Sequence, residues 1–402
     1  MSAVANPQRL IVLLAALTAF GPLSIDLYLP SLPLIAADLR AAEASVQLTI
    51  SVFLAGLCLG MLLYGPLSDR FGRRPLLLFG ISLYVLASLG CALASSAEFL
   101  LLYRFLQALG GAAASVLGRA VVRDLFPLTA AARVFSLMHL VTMLATLVAP
   151  LLGSYLMLLA GWRSLFLLLL AFAAICLALV TFNLPESHPP ERRGASLGQV
   201  FRAYGHMLLT PVALGFILCM GLSFAGMFAF ITASPFVYIQ YFGVSPQHYG
   251  GLFALNIAGV IVATLLNARL VSRFGTRQML QGGTAIVALA GIALALVGGV
   301  DLGGLPAVVI CILCYVSMTG LIGANCLASL LAHFPQQAGA AAGLAVSLQF
   351  GLGMVFSGLV GAFHDGTAMP MSILIGIAGI GCFMAFRLTS RSFRSIGVHE
   401  QR

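Results

Sequence analysis

The chain has 402 residues, of which 61% are hydrophobic and 8% charged, with a net charge of +9. Soluble domains carry roughly 25% charge, so this composition excludes a soluble enzyme and makes the bilayer the solvent. The positive balance predicts no nucleic-acid partner, because the arginines sit in short turns between apolar runs and form no basic stripe.

A helix needs ~20 apolar residues to cross the hydrocarbon, and about twelve runs qualify. They span Arg9–Ala36, Val46–Leu67, Pro75–Ala94, Phe99–Val122, Val134–Ala160 and Ser164–Leu184 in the first half. Pro211–Ile239, Tyr249–Val271, Met279–Val300, Leu305–Phe334, Gly339–Phe363 and Met369–Leu388 follow in the second. Helices are expected over strands, since a helix satisfies its own backbone hydrogen bonds in lipid. The first run is too long for a cleaved signal and is read as a retained span.

Arginines collect on alternate connections, at Arg70–Arg74, Arg123 with Arg133, Arg192–Arg202, Arg269–Arg277 and Arg387–Arg402. The opposite connections hold only Arg40 and Arg163, with Asp38, Glu43, Glu98, Asp301 and Asp365. Basic loops stay in the cytoplasm, which predicts both termini there. The polar stretch Pro185–His206 reads as a linker, with an amphipathic piece around Leu197–Tyr204 suited to a membrane surface. The expected division is residues 1–184, a cytoplasmic linker 185–210, and residues 211–402 with a short tail. The run Leu270-Val-Ser-Arg-Phe-Gly-Thr-Arg277 echoes Leu67-Ser-Asp-Arg-Phe-Gly-Arg-Arg74, which supports two repeated halves.

The turn after the second run reads Gly65-Pro-Leu-Ser-Asp69-Arg70-Phe-Gly72-Arg73-Arg74. Orientation alone needs only arginines and explains neither Asp69 at a helix end nor the glycines around the cluster. The pattern closely resembles the signature loop between helices 2 and 3 of the major facilitator superfamily. The resemblance implies an all-α membrane protein of two six-helix bundles around a central cavity, and a conformational-switch role for Gly65, Asp69, Arg70, Gly72, Arg73 and Arg74.

Ionisable groups within spans are functional hypotheses by default. Asp26 lies ~24 Å along its helix from one end, and Arg104 ~9 Å from the opposite face. In a core ~30 Å thick these depths nearly coincide, so the two are expected to face each other as a proton-coupling pair. A plain buried salt bridge is the alternative reading. Arg104-Phe-Leu-Gln107-Ala-Leu-Gly110-Gly111 is similar to the superfamily motif in the fourth helix, departing at Ala108. Ala149-Pro150-Leu-Leu-Gly153 resembles the exporters' fifth-helix motif, with Ser154 in place of its last glycine. Arg119 and His139 are lesser candidates for substrate passage and proton transfer. Snorkelling and ordinary hydrogen bonding explain them as well. The glycines of the eleventh span, among them Gly358 and Gly361, fit either a gate or static packing.

Three segments are more specific: Ser24-Ile-Asp-Leu-Tyr-Leu-Pro30, the stretch Ser223 to Tyr238, and Phe253-Ala-Leu-Asn256. Together they resemble the Bcr/CflA group of drug-resistance transporters over essentially the whole chain. That group expels compounds such as bicyclomycin and chloramphenicol in exchange for protons. Substrate contacts are expected from Asp26, Gln107, Phe224, Met227, Phe228 and Asn256, the aromatic and thioether groups supplying adaptable apolar surface. No cofactor beyond the coupling proton is expected. Cys311-x-x-Cys314 has neither His nor acid beside it, so no metal site or disulfide framework is expected. A monomer in a bacterial inner membrane, surrounded by lipid, completes the expectation. A proton-coupled metabolite exporter or importer, and a non-transporting sensor or scaffold on this fold, are the alternatives. A membrane enzyme is not expected, since no nucleophile–base pair or phosphate loop is present.

Overall fold

The computed structural model describes residues 7–189, 191, 197–300 and 302–389. Asp301, the linker arginines Arg192 and Arg193, and the tail arginines beyond Thr389 lie outside the described residues. Among the described residues every regular element is helical. The helices are α1 (Pro7–Thr18), α2 (Phe20–Asp26), α3 (Leu32–Asp38), α4 (Glu43–Phe71), α5 (Arg73–Leu93), α6 (Ala97–Leu125), α7 (Leu128–Ala160) and α8 (Arg163–Asn183). They continue as α9 (Leu197–Leu209), α10 (Pro211–Pro235), α11 (Pro246–Val300), α12 (Gly304–His333), α13 (Ala338–Ala362) and α14 (Met369–Thr389).

Among the described residues, eleven stretches are long and apolar enough to cross a membrane, and one of them, Pro246–Gly299, holds 54 residues. A straight helix of that length would reach ~80 Å, against a hydrocarbon core of ~30 Å. Gly275 divides it. Its φ of 75° and ψ of 162° are not helical, and only glycine adopts that φ readily. The two arms of α11 are the eighth and ninth expected crossings.

The chain forms two compact units, Met1–Ala41 with Val52–Leu197, and Ala42–Ser51 with Gly198–Arg402. In the first, α5 packs on α6 and α8, and α1 and α2 pack on α7. Small residues set the closest approach: a Cβ on Gly110 would stand 2.5 Å from the Gly80 carbonyl oxygen. In the second, α10 packs on α12, α13 and α14, and α11 on α12 and α14. The first turns of α4, Ala42–Ser51, belong with the second unit although the rest of that helix belongs with the first. Hydropathy gave no sign of this division. The amphipathic helix α9 buries Tyr204 and Met207, the Tyr204 hydroxyl lying close to Gly343 of α13.

Candidate functional site

Three prolines shape the first crossing, Gln8–Asp38. A proline cannot donate to the carbonyl four residues before it. Pro22 thus leaves Thr18 without its helical donor, at the end of α1, and Pro30 leaves Asp26 without one, at the end of α2. A 3₁₀ turn, Leu29–Ser31, links α2 to α3. Asp26 is therefore the last helical residue before a break, and its side chain is 5% exposed. Thr146 of α7 is the polar side chain beside its carboxyl. The Thr146 hydroxyl also reaches the Thr142 carbonyl at 3.1 Å. One hydroxyl hydrogen serves either acceptor but not both. The motif containing Pro150 holds this arrangement close: a Cβ on Gly153 would lie 1.8 Å from the Leu27 carbonyl oxygen.

Arg104 of α6 is fully buried. Its guanidinium carbon stands 4.3 Å from the Tyr28 ring centre, 4.1 Å from that of Phe53 and 5.9 Å from that of Phe166. Cation–π contacts in a desolvated setting contribute up to ~2 kcal/mol each. Nη1 donates to Gln107 Oε1 at 2.7 Å, Gln107 Nε2 donates to Ser88 Oγ at 2.8 Å, and Ser88 donates to the Tyr84 carbonyl at 2.8 Å. The Tyr84 hydroxyl meets Ser24 Oγ at 2.6 Å, two residues from Asp26. Arg104 Nε and Nη2 have no hydrogen-bond partner. Asp26 and Arg104 form no ion pair among the described residues. The arginine is balanced by rings and by Gln107, which reaches on to Ser88. Tyr28, Ser24, Tyr84, Ser88 and Thr146 were not among the expected site residues. Their signal was polar groups at helical spacing in apolar spans, as in Tyr84 and Ser88.

The arginine-rich turn is a second polar cluster of the first unit. Gly72 takes φ 98°, ψ 157° and opens α5. Gly65 lies within α4, its carbonyl accepting the Ser68 hydroxyl at 2.8 Å. Arg73 is 7% exposed. It pairs with Asp69 at 2.6 Å and with Asp124 at 3.1 Å, and donates to Ser68. Ser187 donates to the same Asp124 oxygen at 3.1 Å. Glu186 accepts the backbone N–H groups of Arg73 at 3.0 Å and Arg74 at 3.3 Å. A carboxylate at the amino end of α5 satisfies helix donors that have no partner within the helix and complements the dipole. Arg74 donates to the Thr181 carbonyl at 2.8 Å, and Arg70 stands over Phe71 at 5.4 Å. Sequence reasoning placed Glu186 in a linker and assigned it no role.

In the second unit Phe224 stands 4.9 Å from Phe228 and 5.3 Å from Phe350, ring centre to ring centre, which joins α10 to α13. Met227 Sδ accepts from the Thr319 hydroxyl of α12 at 3.7 Å. Asn256 is buried in α11, its amide donating to the Leu252 carbonyl at 3.0 Å while its Oδ1 has no partner. Phe224, Met227 and Phe228 thus share one face of α10, while the Asn256 amide bonds within α11. Arg119 is exposed, with Nε on the Ser115 carbonyl at 3.1 Å, and His139 is exposed on α7.

Residues 14–358 match the family model of the Major Facilitator Superfamily. A bicyclomycin resistance protein homolog from Haemophilus influenzae is 36% identical, over 96% of this chain and 98% of that protein. The multidrug resistance protein MdtL of Shigella dysenteriae is 31% identical, over 72% of this chain and 73% of that protein. Among solved structures, the xylose transporter XylE from E. coli matches with a TM-score of 0.73 at 17% identity, covering 94% of this chain and 96% of that one. The nucleoside transporter NupG matches with a TM-score of 0.74 at 14% identity, covering 95% and 99%. These two likenesses concern the fold. Two helical units, the clasped arginine turn and near full-length similarity to a resistance protein homolog agree: the chain is a membrane transporter that belongs to the Major Facilitator Superfamily, among its Bcr/CflA-type members.

Proposed function

We propose that this protein exports small amphipathic drugs, bicyclomycin- or chloramphenicol-like, across a bacterial inner membrane in exchange for protons. The observation that carries the proposal is Asp26, a buried acid at a helix break with no cation paired to it. An unbalanced carboxylate in hydrocarbon is costly. The group therefore favours gaining a proton where it is dry and losing it where water or a cation arrives.

Thr146 supports both states. An ionised Asp26 accepts the threonine hydrogen; a protonated Asp26 donates to the threonine oxygen, whose hydrogen then turns to the Thr142 carbonyl. Arg104 would act on Asp26 by leaving its aromatic cage during the cycle. Phe224, Met227, Phe228 and Asn256 would supply apolar contact and one hydrogen-bonding group to the drug. The chain works as a monomer in this reading, with both termini cytoplasmic, since basic turns are retained there.

The test is uptake into inverted vesicles with an imposed pH step, using a compound panel that includes both drugs and neutral metabolites. Asp26→Asn, nearly isosteric, should abolish gradient-driven uptake while ligand binding and folding persist. Wild-type uptake by the Asn variant would remove Asp26 as the proton carrier. Uptake of metabolites alone would replace the drug assignment.

A further inference from the structure

Residues 42–51 start α4 and pack within the second unit. Their fit to α13 is close: a Cβ on Gly361 would lie 3.4 Å from the Ala44 carbonyl oxygen. Lower down, Ser51 Oγ donates to Ser357 Oγ at 2.8 Å, and Ser357 meets Thr232 Oγ1 at 2.7 Å. At the top is a cluster unused by the transport mechanism above. His364, just beyond α13, places Nε2 2.7 Å from Glu43 Oε2. Its Nδ1 is 3.2 Å from Gln47 Nε2. The second oxygen of Glu43 accepts from Gln240 at 2.9 Å. Phe236, which follows α10, covers the imidazole at 5.6 Å between ring centres. Gln47 is fully buried, and its Oε1 has no hydrogen-bond partner.

We propose that His364, Glu43 and Gln47 form a proton-sensitive latch that fastens the first turns of α4 to the second unit. The close contact of His364 with the Glu43 carboxylate is the telling feature. With neutral imidazole, Nε2–H donates to Glu43 and Nδ1 accepts from the Gln47 amide, which leaves Oε1 unsatisfied. With imidazolium both ring nitrogens donate. Turning the Gln47 amide by 180°, which hardly changes its shape, then offers Oε1 to Nδ1–H. The proton converts the Glu43 contact into an ion pair, while the turned amide keeps one hydrogen bond to the ring.

The surrounding charges act in the same direction. Asp365, next in the chain, accepts from the Thr367 hydroxyl at 2.7 Å and from its backbone N–H at 2.9 Å. The Thr367 hydroxyl above all holds the Asp365 carboxyl below its ordinary range, so it stays ionised beside His364. Gln240 and Phe236 add no charge. A proton therefore binds the latched form better than the released form. By linkage acid tightens the latch, because imidazolium adds the ion pair with Glu43, and base loosens it.

Backbone hydrogen exchange on the full chain in lipid nanodiscs, from pH 5.5 to 8.5 and corrected for the intrinsic rate, tests this. Protection of 42–51 should fall about fivefold across the range in the wild type. His364→Gln, which hydrogen-bonds but does not titrate, and Glu43→Gln, which leaves the imidazole without its carboxylate, should both be flat with pH. Protection of α6 should stay at the wild-type level in each and certifies the fold. If His364→Gln lowers protection in α6 as well, Glu43→Gln decides. Wild-type protection that ignores pH, or a folded variant that keeps the wild-type dependence, would overturn the latch.

Discussion

Replacing Gly153 by Ala tests whether contact between α7 and the break in the first crossing positions Asp26. The added Cβ would arrive 1.8 Å from the Leu27 carbonyl oxygen, where real contacts essentially never fall below 3.0 Å. The gap must open by about 1.2 Å, and the obstacle is backbone, not a flexible side-chain tip. Overpacking of this kind costs ~1–3 kcal/mol. Leu27 follows Asp26 directly, so the displacement passes to the carboxyl and its contact with Thr146. A shift of ~1 Å at a working group lowers rates by up to ~100-fold. Thermal unfolding in detergent should therefore show a modest loss for Gly153→Ala, and pH-driven uptake a much larger one. Gly111→Ala is the control in the same unit. Its Cβ would stand 3.3 Å from the edge of the Tyr84 ring, and the variant should keep most of its activity. Wild-type uptake by Gly153→Ala would refute the claim that this packing sets the acid's position.

Two further outcomes are expected. Glu186→Gln keeps the size of a side chain that accepts two backbone N–H groups at the start of α5 but removes its charge; it should destabilise by ~1 kcal/mol and slow turnover several-fold with drug affinity little changed, and unaltered turnover would reduce Glu186 to a structural cap. A reporter active only outside the cytoplasm should be silent when fused after Arg402 and active when inserted after Gly366, between α13 and α14; the reverse would invert the orientation assigned from the arginine turns.

Much of this architecture was legible in the sequence, because hydropathy over ~20 residues reports the solvent directly. The break at Pro22 and Pro30 was not read from the sequence, where the run counts as a single span. Depth along a helix put Asp26 and Arg104 at comparable levels. Depth says nothing of rotation about the axis, however, and rotation decides what Arg104 touches. Tyr28, Phe53 and Phe166 come from three separate stretches of chain, so no local pattern could announce the cage. Glu186 and Glu43 were hidden differently. Both sit in or beside connections, where acids are counted for charge balance, and their roles appear only when distant backbone or a distant histidine arrives.

The internal repeat separates shape from charge in the arginine turn. Gly72 and Gly275 adopt nearly the same backbone, φ 98° with ψ 157° and φ 75° with ψ 162°. Arg70 stands 5.4 Å over Phe71, and Arg273 stands 5.5 Å over Phe274. Glycine and the arginine–phenylalanine stack thus recur in both halves. Asp69 and Arg73 do not: Ser272 and Thr276 occupy their places. A turn of the same form exists without the Asp–Arg pair, so the pair is not needed to make the turn. What it adds in the first unit is attachment. Arg73 links the end of α4 to the end of α6 through Asp69 and Asp124, and Ser187 ties the segment after α8 to the same carboxylate. Three helix ends and the exit of a fourth thereby meet on one largely buried guanidinium. Charged contacts of this kind are strong when formed, and leaving one partner buried and unpaired is costly. A cluster with those properties holds one arrangement firmly and yields only when all its members move together, which is the behaviour a switch between two states requires and a fixed turn does not.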